Sequence, residues 1–194
     1  MSNLLPQEET SFVPGRENSR EFRSALAQFP TGVTIVTCNS EIGPLGVTAN
    51  SFTSISLDPA LIMWCPTKSS KRYSAFMAAN HFAVHVMPVE EKELCLSFSR
   101  SGQAFDDVDW HFSSKQVPLL DCSLARFECK RFADYDGGDH SLLLGLVEKA
   151  SVFEGVPLTF SQGGFNTPEK EKERHLNAWR DADLTETYQT ARNI

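Results

Sequence analysis

The stretch Leu45-Gly46-Val47-Thr48-Ala49-Asn50-Ser51-Phe52-Thr53-Ser54-Ile55-Ser56-Leu57 decides the fold class. It is rich in Val, Thr, Ser, Ile and Phe, residues that suit a pleated, half-buried surface, and it predicts one long, bent β-strand. Its neighbours behave alike. Val33–Cys38 is β-branched and reads as a buried strand, separated from the long one by a turn at Gly43-Pro44. Ala60–Cys65 and Phe82–Met87 follow as a third and a fourth strand, with Pro88 ending the latter. Further on, Leu119–Phe132 and Ser141–Phe153 read as two long strands and Leu158–Ser161 as a short one. Successive strands on turn-sized connections, with few helices, predict an antiparallel barrel instead of a βαβ sheet.

Helices are few. Phe22, Ala25, Leu26 and Phe29 recur at i, i+3, i+4 and i+7 behind a candidate cap at Ser19, so a helix with one apolar face is expected there. Pro30 stops it and Thr31-Gly32 turns the chain. Short helical pieces fit near Tyr73–Ala79 and Glu90–Phe98. Residues 1–18 read as a loose polar arm, 19–165 as the barrel domain, and 166–194 as a C-terminal extension with a helix over Ala178–Tyr188 anchored by Trp179.

Composition bounds the function. The 194 residues carry 18 Lys+Arg against 25 Asp+Glu, a net charge of −7, and are 41% hydrophobic and 22% charged. That is a globular composition, and its acidity argues against a general nucleic-acid binder, which needs surplus cations to neutralise phosphates. The apolar run Ala60–Cys65 is far too short to cross a bilayer, and no basic-then-apolar leader is seen, so a cytoplasmic protein without membrane contact is expected. Cys38, Cys65, Cys95, Cys122 and Cys129 are odd in number, widely spaced and without a CxxC pair, which predicts reduced thiols and no metal site. His81 and His85 lie four apart on a strand with no acidic or thiol partner in register.

Four segments concentrate chemistry. In Gly46–Ser54, Thr, Asn and Ser crowd one strand without a compensating charge, and such groups address the carbonyls and ring nitrogens of a flat heterocycle as readily as they face solvent. Cys65-Pro66-Thr67-Lys68-Ser69-Ser70-Lys71-Arg72 brings hydroxyls and three cations into one turn, either a solvated basic loop or a phosphate cradle lacking the glycine frame of a P-loop. Asp136-Gly137-Gly138-Asp139-His140 reads as a hairpin tip that sets His140 at the head of the next strand. Gly163-Gly164-Phe165 allows close backbone approach beside an aromatic ring. GxGxxG and GxSxG are absent.

The order of these segments is more specific than any one of them. Phe29-Pro30-Thr31-Gly32-Val33, Thr48 to Ser56, Asp58-Pro59, Gly137-Gly138-Asp139-His140 and Gly163-Gly164-Phe165 together resemble the flavin reductase-like family of FMN-binding split β-barrels. Leu61–Ser70 is similar to reductase components that serve steroid and phenol ring hydroxylation. The resemblance implies a mainly-β split barrel of Greek-key antiparallel type, with a few short helices and a helical C-terminal arm. It implies an NAD(P)H-dependent flavin reductase that uses FMN or FAD with NADH or NADPH, acts as a homodimer, and hands reduced flavin to a flavin-dependent aromatic monooxygenase. An FMN-dependent oxidase or oxygenase on the same barrel, and a non-catalytic flavin- or haem-binding protein, are the alternatives. Carried over residue by residue, the resemblance sets Thr48, Ala49, Asn50 and Ser51 along the isoalloxazine and ribityl chain. Cys65, Pro66 and Thr67 lead into Lys68, Ser69, Ser70 and Lys71 at the phosphate. Phe98, Ser99 and Arg100 approach from another loop, and His140 stands on the nicotinamide side as the catalytic residue. Phe165 stands where many members have Tyr, and Leu96-Ser97-Phe98-Ser99 departs from the commoner Arg-Phe-Ala pattern.

Overall fold

The computed structural model describes residues 9–166. The proposed C-terminal helix, with Trp179, lies outside the described residues, as do the first eight positions.

Seven strands form the main sheet. β2 (Thr34–Ser40) and β3 (Gly43–Ala49) make one hairpin, and β4 (Thr53–Leu57) and β5 (Ala60–Trp64) make another across the Asp58-Pro59 turn. β6 (His81–Val86) runs between β2 and β9 (Ala125–Gly137), which folds back into β10 (His140–Val152). Every pairing is antiparallel, and the strand order is β3-β2-β6-β9-β10-β5-β4. A two-residue strand β1 (Thr31–Gly32) joins β11 (Thr159–Ser161) and β12 (Gly164–Asn166) in a small second sheet, and β7 (Trp110–Phe112) pairs with β8 (Pro118–Leu120).

That order corrects the reading of 45–57 as one strand. β3 and β4 occupy opposite edges of the sheet, and Asn50-Ser51-Phe52 carry the chain from one edge to the other. Laid flat, seven strands would set the edges about 29 Å apart, at about 4.8 Å per spacing. Four residue steps from Ala49 to Thr53 span at most about 14 Å. The sheet therefore curls until its edges nearly meet, and between β3 and β4 the barrel stays open along a seam. Polar Asn50 and Ser51 break the strand pattern where no partner strand accepts their backbone groups.

Two cores flank β2, which explains its unbroken apolar run. Val36 and Cys38 point inward with Trp64, Phe76, Phe82 and Leu143. Val33 and Ile35 point the other way, onto Leu94, Cys95 and Phe98 of α3 (Lys92–Arg100). α2 (Tyr73–Ala78) plugs the inner core with Phe76, which meets Trp64 edge-on at 5.1 Å. The buried Thr37 on β2 and His85 on β6 are satisfied: Thr37 Oγ1 donates to the Pro118 carbonyl at 2.6 Å, and His85 bonds the Ile35 carbonyl through Nδ1 (3.0 Å) while accepting the Leu120 N–H on Nε2 (3.1 Å).

Other sequence readings shift. Leu119–Phe132 is two strands, β8 and β9, separated by a turn after Leu120. Thr31-Gly32 is not a turn but β1, whose neighbours in the second sheet were legible only in part. Helix α1 (Ser19–Leu26) begins at Asn18, whose side chain is spent on the preceding turn, accepting the Gly15 N–H at 2.7 Å and donating to the Val13 carbonyl at 2.8 Å. No residue of α1 is buried, so its apolar face is uncovered. His81 does have an acidic neighbour, with Nε2 3.7 Å from a Glu148 carboxylate oxygen. All five cysteines are free thiols; burial pushes Cys38, Cys95 and Cys129 up to about 12 and Cys122 up to about 11, so they stay protonated and inert.

Candidate active site

A cleft of about 360 Å³ opens at the seam, within the range of small-molecule sites. Three pieces of chain build it. The end of β3 and the crossing supply Val47 to Ser51; the segment after β5 supplies Cys65, Pro66, Thr67, Ser69, Ser70 and Arg72; the tip of the β9–β10 hairpin supplies His140. Trp64, Tyr73 and Phe76 form the apolar back wall. The Trp64 indole N–H there is buried without an acceptor.

Backbone bonds lock the second and third pieces together. Lys68 N–H donates to the Asp139 carbonyl at 2.9 Å, and Ser141 N–H to the Pro66 carbonyl at 3.1 Å. Tyr73 Oη and Ser141 Oγ are 2.6 Å apart. The hairpin tip turns through Gly138 at φ 78°, a left-handed conformation that favours glycine. Ser51 binds the first piece to the second, its Oγ accepting the Cys65 N–H at 3.0 Å.

His140 sits in a chain of polar contacts. Its Nδ1 lies 2.7 Å from an Asp139 carboxylate oxygen and its Nε2 lies 2.8 Å from Thr67 Oγ1. A carboxylate only accepts, so Nδ1 carries a proton, and the neutral ring then accepts the Thr67 hydroxyl on Nε2. The hydrogen bond to His140 holds the exposed Asp139 carboxyl below the usual range, with a smaller contribution from Arg23.

Arg72 organises the other side. Its Nη1 donates to the Gly46 and Phe98 carbonyls (3.0 and 2.6 Å), and its Nη2 donates to the Ser99 carbonyl at 2.9 Å. Half-burial lowers its pKa, yet a guanidinium remains charged. It thus fixes a cation at the cleft and ties β3 to the end of α3.

The structure brings Thr48, Ala49, Asn50, Ser51, Cys65, Pro66, Thr67, Ser69, Ser70 and His140 to one cleft. Others lie elsewhere. Lys68 and Lys71 are exposed and do not line the cleft; Lys68 ion-pairs with Asp136, which raises the lysine and lowers the carboxyl. Phe98 is 0% exposed and packs under Gly46 and against Phe105 in the second core, because its position on α3 faces β2 and β3. Ser99 and Arg100 end α3 on the surface, off the cleft. Phe165 packs edge-on against Phe160 at 5.6 Å in the second sheet. The Thr48 hydroxyl is committed to the Cys95 carbonyl at 2.6 Å. Among the lining residues, Trp64, Tyr73 and Phe76 were not singled out from sequence. Arg72 was named only as the last cation of the Cys65–Arg72 segment, without a role of its own; the three aromatics carry the signature of ordinary core residues.

Comparison with known proteins agrees with this geometry. The model of the flavin reductase like domain matches residues 26–169. An FMN reductase (NADH) of Agrobacterium fabrum is 51% identical over 161 residues, covering 83% of this chain and 92% of that protein. The reductase subunit of a flavin-dependent monooxygenase from Mycobacterium tuberculosis is 37% identical over 166 residues, covering 84% and 88%. Among solved structures, the NADH:FAD oxidoreductase of Streptomyces globisporus in complex with NAD and FAD fragments superposes with a TM-score of 0.77 at 32% identity, covering 84% of this chain and all of that one (100%).

Proposed function

We propose that this chain, which belongs to the flavin reductase-like domain family, is an NAD(P)H:flavin oxidoreductase that supplies reduced flavin to a partner monooxygenase. The observation that carries this reading is the seam cleft, where a strand-edge row of amide and hydroxyl groups, a fixed guanidinium and His140 line one volume sized for a small molecule. The reductase names of its relatives support it. FMN and FAD, with NADH as donor, are the cofactors those relatives' names specify.

The residues present fit a flavin. A flat ring system needs an apolar wall and polar edge groups, which Trp64, Tyr73 and Ala49 to Ser51 provide; a phosphate needs hydroxyls and a cation, which Ser69, Ser70 and Arg72 provide. A bound flavin supplies the redox chemistry, accepting at N5 the hydride of nicotinamide C4. The chain's work is placement. Strand end and hairpin tip are each pinned to the segment after β5, the first by Ser51 Oγ accepting the Cys65 N–H and the second by two backbone bonds, so these residues would hold the two ring sites in a fixed relation, and alignment of this kind is the main source of rate for a transfer that needs no protein acid in the same step. His140, with Nδ1 anchored on Asp139, orients the nicotinamide through Nε2 once Thr67 yields its hydrogen bond. Lys68 and Lys71 act on the phosphate only at long range, from the rim.

A homodimer is part of the proposal: Phe22 and Leu26 on α1, and Ile55 and Leu57 on edge strand β4, are exposed apolar groups beside the seam that a second copy would cover. Free, protonated thiols agree with a cytoplasmic setting, and no described helix is long and apolar enough to cross a membrane. NADH consumption measured with and without added FMN or FAD tests the function. Turnover that depends on added flavin is expected; oxygen uptake driven by an organic substrate without NADH would replace this reading with an oxidase.

A further inference from the structure

We propose that Arg20 and Arg23 of α1 hold the diphosphate of the nicotinamide dinucleotide, in a groove that leaves the flavin cleft past Asn50. The proposal rests on the reductase reading and specifies where the non-reacting half of the electron donor lies.

The groove has a volume of about 810 Å³ and runs between α1 and the β11–β12 turn, lined by Arg20, Arg23, Phe29, Asn50, Phe160 and Gly163 among others. Asn50 lines both this groove and the cleft, so the two spaces adjoin at the crossing between β3 and β4. The groove has fixed walls: Gln162 N–H donates to the Ala27 carbonyl at 2.8 Å, and Thr31 pairs with Phe160 between β1 and β11.

Charge selects the occupant. The chain carries a net −7, and a dinucleotide diphosphate brings two negative charges, so the overall field opposes binding unless cations stand where the phosphates lie. Arg20 and Arg23 are three apart on a helix and share one face. Among the described residues neither takes part in an ion pair. Two guanidinium forks match phosphate oxygens bidentately. The field of Arg23 also reaches the Asp139 carboxyl, which anchors His140, so this basic face neighbours the nicotinamide side of the cleft. Phe29 is 75% exposed at the rim, an uncovered ring on which adenine can stack. The groove also explains why α1 keeps two arginines among residues that bury nothing.

The test compares NADH with reduced nicotinamide riboside, which lacks both phosphates and the adenosine. In R20A/R23A the KM for NADH should rise about tenfold, as expected for loss of exposed charge-assisted hydrogen bonds, while the KM for the riboside and kcat stay within about twofold. R23K, which keeps the charge but not the fork, should recover part of the loss. Because α1 buries no side chain, both variants should fold as the parent does. Equal KM changes with the two donors, or no change with either, would overturn the proposal. Calorimetric titration with ADP-ribose reads the groove without turnover: the parent should bind it and R20A/R23A should bind it at least about fivefold more weakly. Unchanged ADP-ribose affinity refutes the groove even if the enzyme reduces flavin. Loss of affinity in a protein that reduces no flavin would keep the groove and discard the reductase reading.

Discussion

Gly46 and Phe98 provide a sharp check on how the cleft is supported. A Cβ at residue 46 would sit 2.5 Å from Phe98 Cε1 and 2.6 Å from Cδ1, about 1 Å inside the ordinary carbon–carbon contact of about 3.5–4.0 Å. Phe98 is 0% exposed and is boxed in by Phe105, with ring centroids 5.0 Å apart, so it has little room to retreat. G46A should therefore cost about 1–3 kcal/mol, the usual range for overpacking a filled core. In a chain of this size that lowers Tm by roughly 2–12 °C. The damage should spread to the site, because the Gly46 carbonyl accepts Arg72 Nη1 at 3.0 Å and the Gly46 N–H donates to Gly102 at 2.8 Å. FMN affinity should fall along with Tm. Trimming the ring in G46A/F98L should restore at least half of the lost stability, a coupling of the size that residues in contact show. Differential scanning calorimetry of the parent, both single variants and the double variant, alongside FMN titrations, completes the cycle. A G46A protein as stable as the parent would refute the packing reasoning. F98L that loses FMN binding at unchanged Tm would show that Phe98 touches the flavin after all.

H140A should raise the KM for NADH about tenfold while changing FMN affinity little, as steady-state kinetics and flavin titration will show; equal losses in both would remove His140 from the donor side. S70A and R72K should each weaken FMN relative to riboflavin more than K68A/K71A does, since only Ser70 and Arg72 line the cleft; the reverse order in competition titrations would return the phosphate to the lysines. His85 predicts an acid-labile fold. Burial holds its pKa down at about 3 in the folded chain, below the ordinary 6.5, so the unfolded chain binds the proton first. The stability this provides is complete above pH 6.5 and is lost as pH falls towards 3, amounting to about 2 kcal/mol between pH 6.5 and 5. Urea midpoints measured across that interval should fall with pH in the parent and stay flatter in H85Q.

Much of the fold was legible because its strands obey simple patterns. Val33–Cys38 reads as buried since β2 has a core on each face, and the glycines of the 137–138 turn announce the hairpin that presents His140. What the sequence left open has a common cause. Residues 45–57 look like one strand because propensity is local, whereas the jump from β3 to the opposite edge at β4 is a property of the closed sheet. Phe98 looks like a site residue because an aromatic near Ser and Arg carries no mark of the face on which it lies; α3 turns it inward. Lys68 and Lys71 look like phosphate ligands, yet Asp136 across the hairpin draws Lys68 away, and that pairing requires the β9–β10 tip to reach the loop after β5. Arg72 was legible as one cation of that segment but not as the one fixed at the cleft, because its anchors are carbonyls of Gly46, Phe98 and Ser99, which are distant in sequence.

The central claim is that the seam cleft seats a flavin while His140 orients a nicotinamide for hydride delivery. Anaerobic stopped-flow mixing of the protein and NADH with FMN, FAD or riboflavin measures this step alone. The account predicts rapid bleaching of the yellow absorbance, one flavin reduced per NADH consumed, with a rate that saturates in both partners and drops in H140A at subsaturating NADH. A rate no faster than that of NADH and flavin without protein, for all three flavins, would contradict it.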